Sequence, residues 1–135
     1  MSGHKLLFDS NIIIYLSKGE LQLRSFTHEN DLPCLSVISY MEIMGYSFKN
    51  KKEQIFIEHF CSASNIIHLE NTIVEKGIEL RKKYRIKLPD AIIAATALVN
   101  DITLVTRNSN DFKSIPDLQI SNPFEDLDEP ADLSK

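Results

Sequence analysis

The 135-residue sequence has only two cysteines, no apolar run long enough for a membrane span and no excess of positive charge. Two cysteines, Cys34 and Cys61, do not make a disulfide framework, and neither has the spacing of a zinc site. Both stand among apolar residues, so we expect buried free thiols and, by default, a reducing cytoplasm. Crossing a bilayer takes about 20 consecutive apolar residues. The one early apolar stretch, Lys5 to Tyr15, is broken by Asp9, Ser10 and Asn11, and nothing at the start resembles a signal peptide, so no membrane association is expected. The net charge of −4 argues against unspecific coating of nucleic acid. There is no internal repeat.

What is present is ordinary globular usage, with 43% hydrophobic and 25% charged residues, enough for one domain with a real core. We expect a single domain over residues 1–124 and an acidic, flexible tail over 125–135, in which Glu125 to Asp132 holds five acids and no base. Positive charge is local. Arg81-Lys82-Lys83-Tyr84-Arg85-Ile86-Lys87 forms a strongly basic stretch, and Lys49 to Lys52 a smaller one.

Hydrophobic periodicity predicts short buried strands at Lys5–Phe8, Cys34–Val37, Ile66–Leu69 and Ile102–Thr106, with a last edge strand at Leu118–Ile120. Helices are predicted from Ile12 to Leu16, capped by Ser10 or Asn11, over Leu21–His28, from Ser39 through Phe48, and over Lys51–Cys61. Two more are predicted from Asn71 or Thr72 to about Tyr84 and from Pro89 to about Val99. Asn108–Phe112 reads as a loop or short turn. Strands alternating with helices predict an α/β fold, three-layer α/β/α, with a short, mainly parallel central sheet.

Four acids stand where such a sheet presents its ligand-binding edge: Asp9 after the first strand, Glu42 in the helix after the second, Asp90 in the Pro89 helix and Asp111 after the Ile102–Thr106 strand. Each has a bland explanation alone. Ser39 to Glu42 spells a capping box, Asp90 suits a helix N-terminus, Asp9 can cap the first helix and Asp111 can sit in a turn. Together, four carboxylates in one cleft repel unless a cation neutralises them. Mg²⁺ and Mn²⁺ favour oxygen ligands, and acidic sites holding them hydrolyse phosphodiesters. His4, His28, His59 and His68 lack ligand spacing.

Leu7-Phe8-Asp9-Ser10-Asn11, Ser39-Tyr40-Met41-Glu42, Leu88-Pro89-Asp90-Ala91-Ile92-Ile93-Ala94-Ala95-Thr96-Ala97 and Thr106-Arg107-Asn108-Ser109-Asn110-Asp111-Phe112 resemble, in order and spacing, the motifs of PIN-domain nucleases, and especially VapC-type toxins of toxin–antitoxin pairs. The resemblance runs from Lys5 to about Pro123. It implies an Mg²⁺- or Mn²⁺-dependent ribonuclease with Asp9, Glu42, Asp90 and Asp111 as its acidic quartet, Asp9 and Asp90 as direct ligands and Glu42 and Asp111 completing the site through the ion or its waters. It also implies orienting roles for Asn11 and Thr106, a homodimer and a cognate antitoxin.

Arg81, Lys82, Lys83, Arg85 and Lys87 either hold RNA phosphates or form the solvated end of a helix. Arg107 is either a phosphate contact or an ion-pair partner. Ala91, Ala94, Ala95 and Ala97 indicate close helix packing, and Tyr40, Met41, Met44 and Tyr46 a core stretch. Two competing functions remain. A phosphatase with Asp9 as nucleophile is disfavoured by Asn11, because a second acid is wanted there. The other is a PIN-like module that binds RNA or protein without catalysis.

Overall fold

Alternation along the strands separates two cores. Leu7, Cys34 and Leu104 point to one face of the sheet, and Phe8, Leu35 and Val105 to the other. The computed structural model describes residues 3–125. Its strands are β1 (Lys5–Phe8), β2 (Leu32–Ser36), β3 (Asn65–Ile67), β4 (Thr103–Val105) and β5 (Ile120–Ser121). All described pairings are parallel, in the order β3-β2-β1-β4-β5, so the sheet is wholly rather than mainly parallel. Helices α1 (Ser10–Ser17), α2 (Val37–Met44) and α3 (Lys51–Ala63) contribute Ile12, Ile13, Ile43 and Ile57 to one core. Helices α4 (Asn71–Lys83) and α5 (Leu88–Asn100) contribute Ile73, Leu80 and Ile93 to the other. The one-turn α6 (Ser109–Phe112) replaces the expected loop, and its Phe112 is buried. The slim alanine face of α5 is buried as expected, as are the free thiols Cys34 and Cys61.

Several local expectations are corrected. The helix predicted over Leu21–His28 is a single 3-10 turn, Leu23–Ser25. There the Ser25 and Thr27 hydroxyls donate to the carbonyls of Gln22 and Leu23, competing for the acceptors a longer helix would use. β2 begins two residues before the expected Cys34, so Pro33 lies inside it. It pairs with Leu6 of β1, and β3 joins β2 only from Cys34 onward, so the absent N–H costs no ladder bond on that side.

The cap of the helix after β2 lies three residues earlier than the expected Ser39, and the helix stops at Met44 rather than Phe48. Ser36 caps it, its Oγ accepting the Ile38 N–H at 3.3 Å, and Gly45 ends it. Ser39 is therefore interior and buried, and Glu42 lies in the second turn, so the capping box does not form. Of the expected core stretch only Tyr40 packs against the core; Met41, Met44 and Tyr46 are exposed, while Ser39 and Ile43 face inward. Asp9, rather than Ser10 or Asn11, caps α1. Strand β3 lies one to two residues earlier and β5 one to two residues later than expected. The tail from 126 onward lies outside the described residues.

Candidate active site

Strand order reverses beside β1. The chain moves outward from β1 through β2 to β3, then crosses to β4 and β5 on the other side. In open parallel sheets this switch point opens a crevice at the strand C-termini. Phe8 and Val105 are register partners across it, so the next residues, Asp9 and Thr106, emerge side by side.

Asp9 is only 6% exposed. Thr106 Oγ1 donates to its Oδ2 at 2.8 Å, and the Ser10 N–H donates to its Oδ1 at 2.8 Å. Thr106 Oγ1 in turn accepts the Asn108 N–H at 3.0 Å, which ties the β4–α6 loop to the same carboxylate. Burial pushes the Asp9 carboxyl above its ordinary value. The Thr106 and Ser10 bonds pull it down, and the charge of Asp111 pushes it up further.

The other acids reach the same place from different elements. Glu42 is raised by burial and by the charges of Asp9 and Asp90, while the Ser10 side chain hydrogen-bonds it and opposes the shift. Asp90, in the first turn of α5, is raised by burial and by Asp9 and Asp111, against Lys87. Asp111 stands in the first turn of α6 and its field acts on both Asp9 and Asp90. All four predicted acids thus share one electrostatic neighbourhood. Among the described residues, however, no three acidic, histidine or cysteine side chains form a ready-made metal cage. A hard cation such as Mg²⁺ does not need one, because it is usually held by one or two carboxylates and keeps several waters. Mutually repelling oxygens and the buried Oδ1 of Asn11, which has no hydrogen-bond partner, fit such an ion.

The sequence marks Ser10 only as a candidate cap. Its backbone holds Asp9 and its hydroxyl holds Glu42. Its position directly after Asp9 was the available signal. Of the predicted basic contacts, Lys87 acts on Asp90. Arg81, Lys82 and Lys83 occupy the last turn of α4, where cations suit the helix dipole. Arg81 and Lys82 also line a groove of about 600 Å³ between α4 and α5 that none of the acids borders, and Arg85 is exposed. The Arg107 guanidinium lies 4.2 Å from the Phe124 ring centroid and 5.0 Å from that of Tyr15.

The profile of the PIN domain matches residues 6–118, a span that contains all four acids, Asn11 and Thr106. The chain belongs to the PIN domain family. Curated relatives of this PIN domain include "Ribonuclease VapC" of Rickettsia bellii (strain RML369-C), 28% identical, with 85% of this chain and 93% of the relative covered. "Ribonuclease VapC2" of Methanocaldococcus jannaschii is 26% identical, with 89% and 95% covered. Among solved structures, a chain of a toxin–antitoxin complex from Klebsiella pneumoniae is 37% identical, with TM-score 0.70 and coverage of 87% of this chain and 97% of that one. A chain of VapBC2 from Rickettsia felis, solved bound to a promoter DNA fragment, is 26% identical, with TM-score 0.72 and coverage of 87% and 98%. Among the described residues of this PIN domain, no helix is long and apolar enough to cross a membrane.

Proposed function

We propose that this PIN domain is a divalent-metal-dependent endoribonuclease, a hydrolase of RNA phosphodiester bonds, and the VapC-type toxin of a toxin–antitoxin pair. One observation carries the reading: four carboxylates from four elements act on one another at the β1–β4 switch point, around a buried Asp9 that Thr106 and Ser10 hold in place. That arrangement, in a chain whose relatives are named ribonucleases, supports phosphodiester hydrolysis.

Asp9 and Asp90 would hold Mg²⁺ or Mn²⁺ directly, with Glu42 and Asp111 acting through its waters. The ion, when bound, supplies activation of water and stabilisation of charge on the phosphate and leaving oxygens. The protein's own share is positioning. Thr106 and the Ser10 backbone hold the Asp9 carboxylate, the Ser10 side chain bonds Glu42, and Asn11 offers a buried amide oxygen. Lys87, whose charge acts on Asp90, would steady RNA phosphates, Arg107 would contact the strand nearby, and Arg81, Lys82, Lys83 and Arg85 would draw it in from further away. The toxin–antitoxin complex of the Klebsiella pneumoniae relative supports a cognate antitoxin protein as partner. A homodimer is supported by exposed apolar residues of α4 and α5, namely Val74, Ile78 and Leu88.

The test is cleavage of structured and single-stranded RNAs with Mg²⁺, Mn²⁺ or EDTA, comparing the wild type with Asp9→Asn. Metal-dependent cleavage lost in the variant is expected. Folded protein that cleaves no RNA in either metal would overturn the reading in favour of a PIN domain that only binds.

A further inference from the structure

A polar cavity of about 480 Å³ is lined by Tyr15, Arg107, Asn108, Ser109, Asn110, Asn122 and Glu125. Its size suits a small-molecule moiety, since ligand pockets start at about 300 Å³. Its walls are built rather than incidental. Tyr15 and Phe124 meet edge to face at 4.9 Å between centroids, and the Arg107 guanidinium caps both rings, which restrains a long side chain at the cavity mouth. Asn122 braces the opposite wall. Its Nδ2 donates to the Arg107 carbonyl at 3.2 Å and to Ser109 Oγ at 3.3 Å, and its Oδ1 accepts the Phe124 N–H at 2.9 Å.

One wall of the cavity is tied to Asp9 through two hydrogen bonds. Asn108 is bonded to the threonine that holds Asp9, and Asn110 directly precedes Asp111. We propose that this cavity seats the base of the unpaired RNA nucleotide adjoining the scissile phosphate and thereby sets which sequence is cut; the proposal rests on the ribonuclease reading. The lining explains why a base is favoured over a bare anion. Asn108 and Asn110 are exposed amides, each offering both donors and an acceptor. Glu125 accepts from an exocyclic amine or a ribose hydroxyl but repels a second phosphate. Arg107 supplies a planar cation that stacks on or hydrogen-bonds to a base edge. Unstacked bases of single-stranded RNA are recognised in this manner, by stacking and by hydrogen bonds to their edges.

Two arms test it. In the first, the full chain in EDTA is titrated with each of the four ribonucleoside 5′-monophosphates and with inorganic phosphate, followed by amide NMR. Shifts at Asn108, Ser109, Asn110 and Asn122 that depend on the base are expected, weakened severalfold by the surface substitution Asn110→Ala and by Arg107→Gln. Shifts that phosphate reproduces, or none at all, overturn the proposal. In the second, fragment ends from a randomised RNA pool are sequenced for wild type and Asn110→Ala. The proposal expects a relaxed preference at one nucleotide flanking the cut. An unchanged preference overturns it while leaving the ribonuclease reading intact. If wild type cleaves nothing, the ribonuclease reading falls, and the titration still decides whether the cavity takes a base.

Discussion

Thr106 Oγ1 donates to Asp9 Oδ2 at 2.8 Å, and through that bond the end of β4 holds the end of β1 across 97 positions of sequence. Thr106 is fully buried, and the same hydroxyl accepts the Asn108 N–H. Thr106→Val keeps the shape and removes both bonds. Leaving buried polar groups unpaired costs about 2 kcal/mol, so urea denaturation should show a loss of that order. RNA cleavage should fall by about tenfold or more, as for partners that orient metal-ligating carboxylates. Thr106→Ser should restore most of both.

Asp9, Glu42 and Asp90 all have carboxyls raised above their ordinary values. The native state therefore holds protons that the unfolded chain has released. Their contribution makes the metal-free protein lose stability as pH climbs from about 4, the unfolded carboxylate range, through the raised native values. Thermal melts in EDTA should show a higher Tm at mildly acidic than at mildly alkaline pH, and saturating Mg²⁺ should flatten this slope while raising Tm.

Asp9→Asn removes one of the repelling charges and keeps the shape. It should abolish metal-dependent cleavage, by about a hundredfold or more, yet raise metal-free stability near neutral pH by about 1 kcal/mol, the trade often seen when a strained site is relieved. Paired denaturation and cleavage assays check both signs.

Ser10 ties Asp9 to Glu42. Ser10→Ala should weaken Mn²⁺ binding, read by titration in the absence of RNA, by about tenfold. The backbone bond to Asp9 survives in that variant, so the fold should be little affected. Ser10→Thr, which keeps the hydroxyl, should bind close to wild type.

Two serines of one helix should behave in opposite ways. Ser36→Ala removes the α2 cap and should cost about 1 kcal/mol. Ser39→Ala removes a buried hydroxyl that has no partner and should be neutral or stabilising. Chemical denaturation of the two variants separates the observed cap from the one the sequence pattern suggests.

That last contrast shows where sequence reasoning stopped. Ser39-Tyr40-Met41-Glu42 matches a capping box letter for letter, but Ser36 lies at the end of β2, and the chain leaves the sheet there. The pattern is local, while the helix start is set by where β2 stops pairing with β3. Leu21–His28 failed for a related reason: its apolar spacing suits a helix, but its hydroxyls take the backbone carbonyls. Asp9, Asp90 and Asp111 were legible because each follows a short apolar strand or opens a helix within a few residues, whereas Glu42 was marked by a capping box that does not form and lies in the second turn of α2.

The amino-acid sequence alone determined the α/β class, the number of strands along the chain and the sites of Asp9, Glu42, Asp90 and Asp111 near strand ends and helix starts, since alternating apolar patterns and helix-opening residues act over a few neighbours. Only the tertiary structure decided that β1 and β4 lie side by side, that Thr106 clasps Asp9, that Ser10 spans two carboxylates and that Arg107 caps Tyr15 and Phe124. Those relationships join residues far apart in the chain, and they depend on which strands become neighbours, which is settled by burying both faces of the sheet at once.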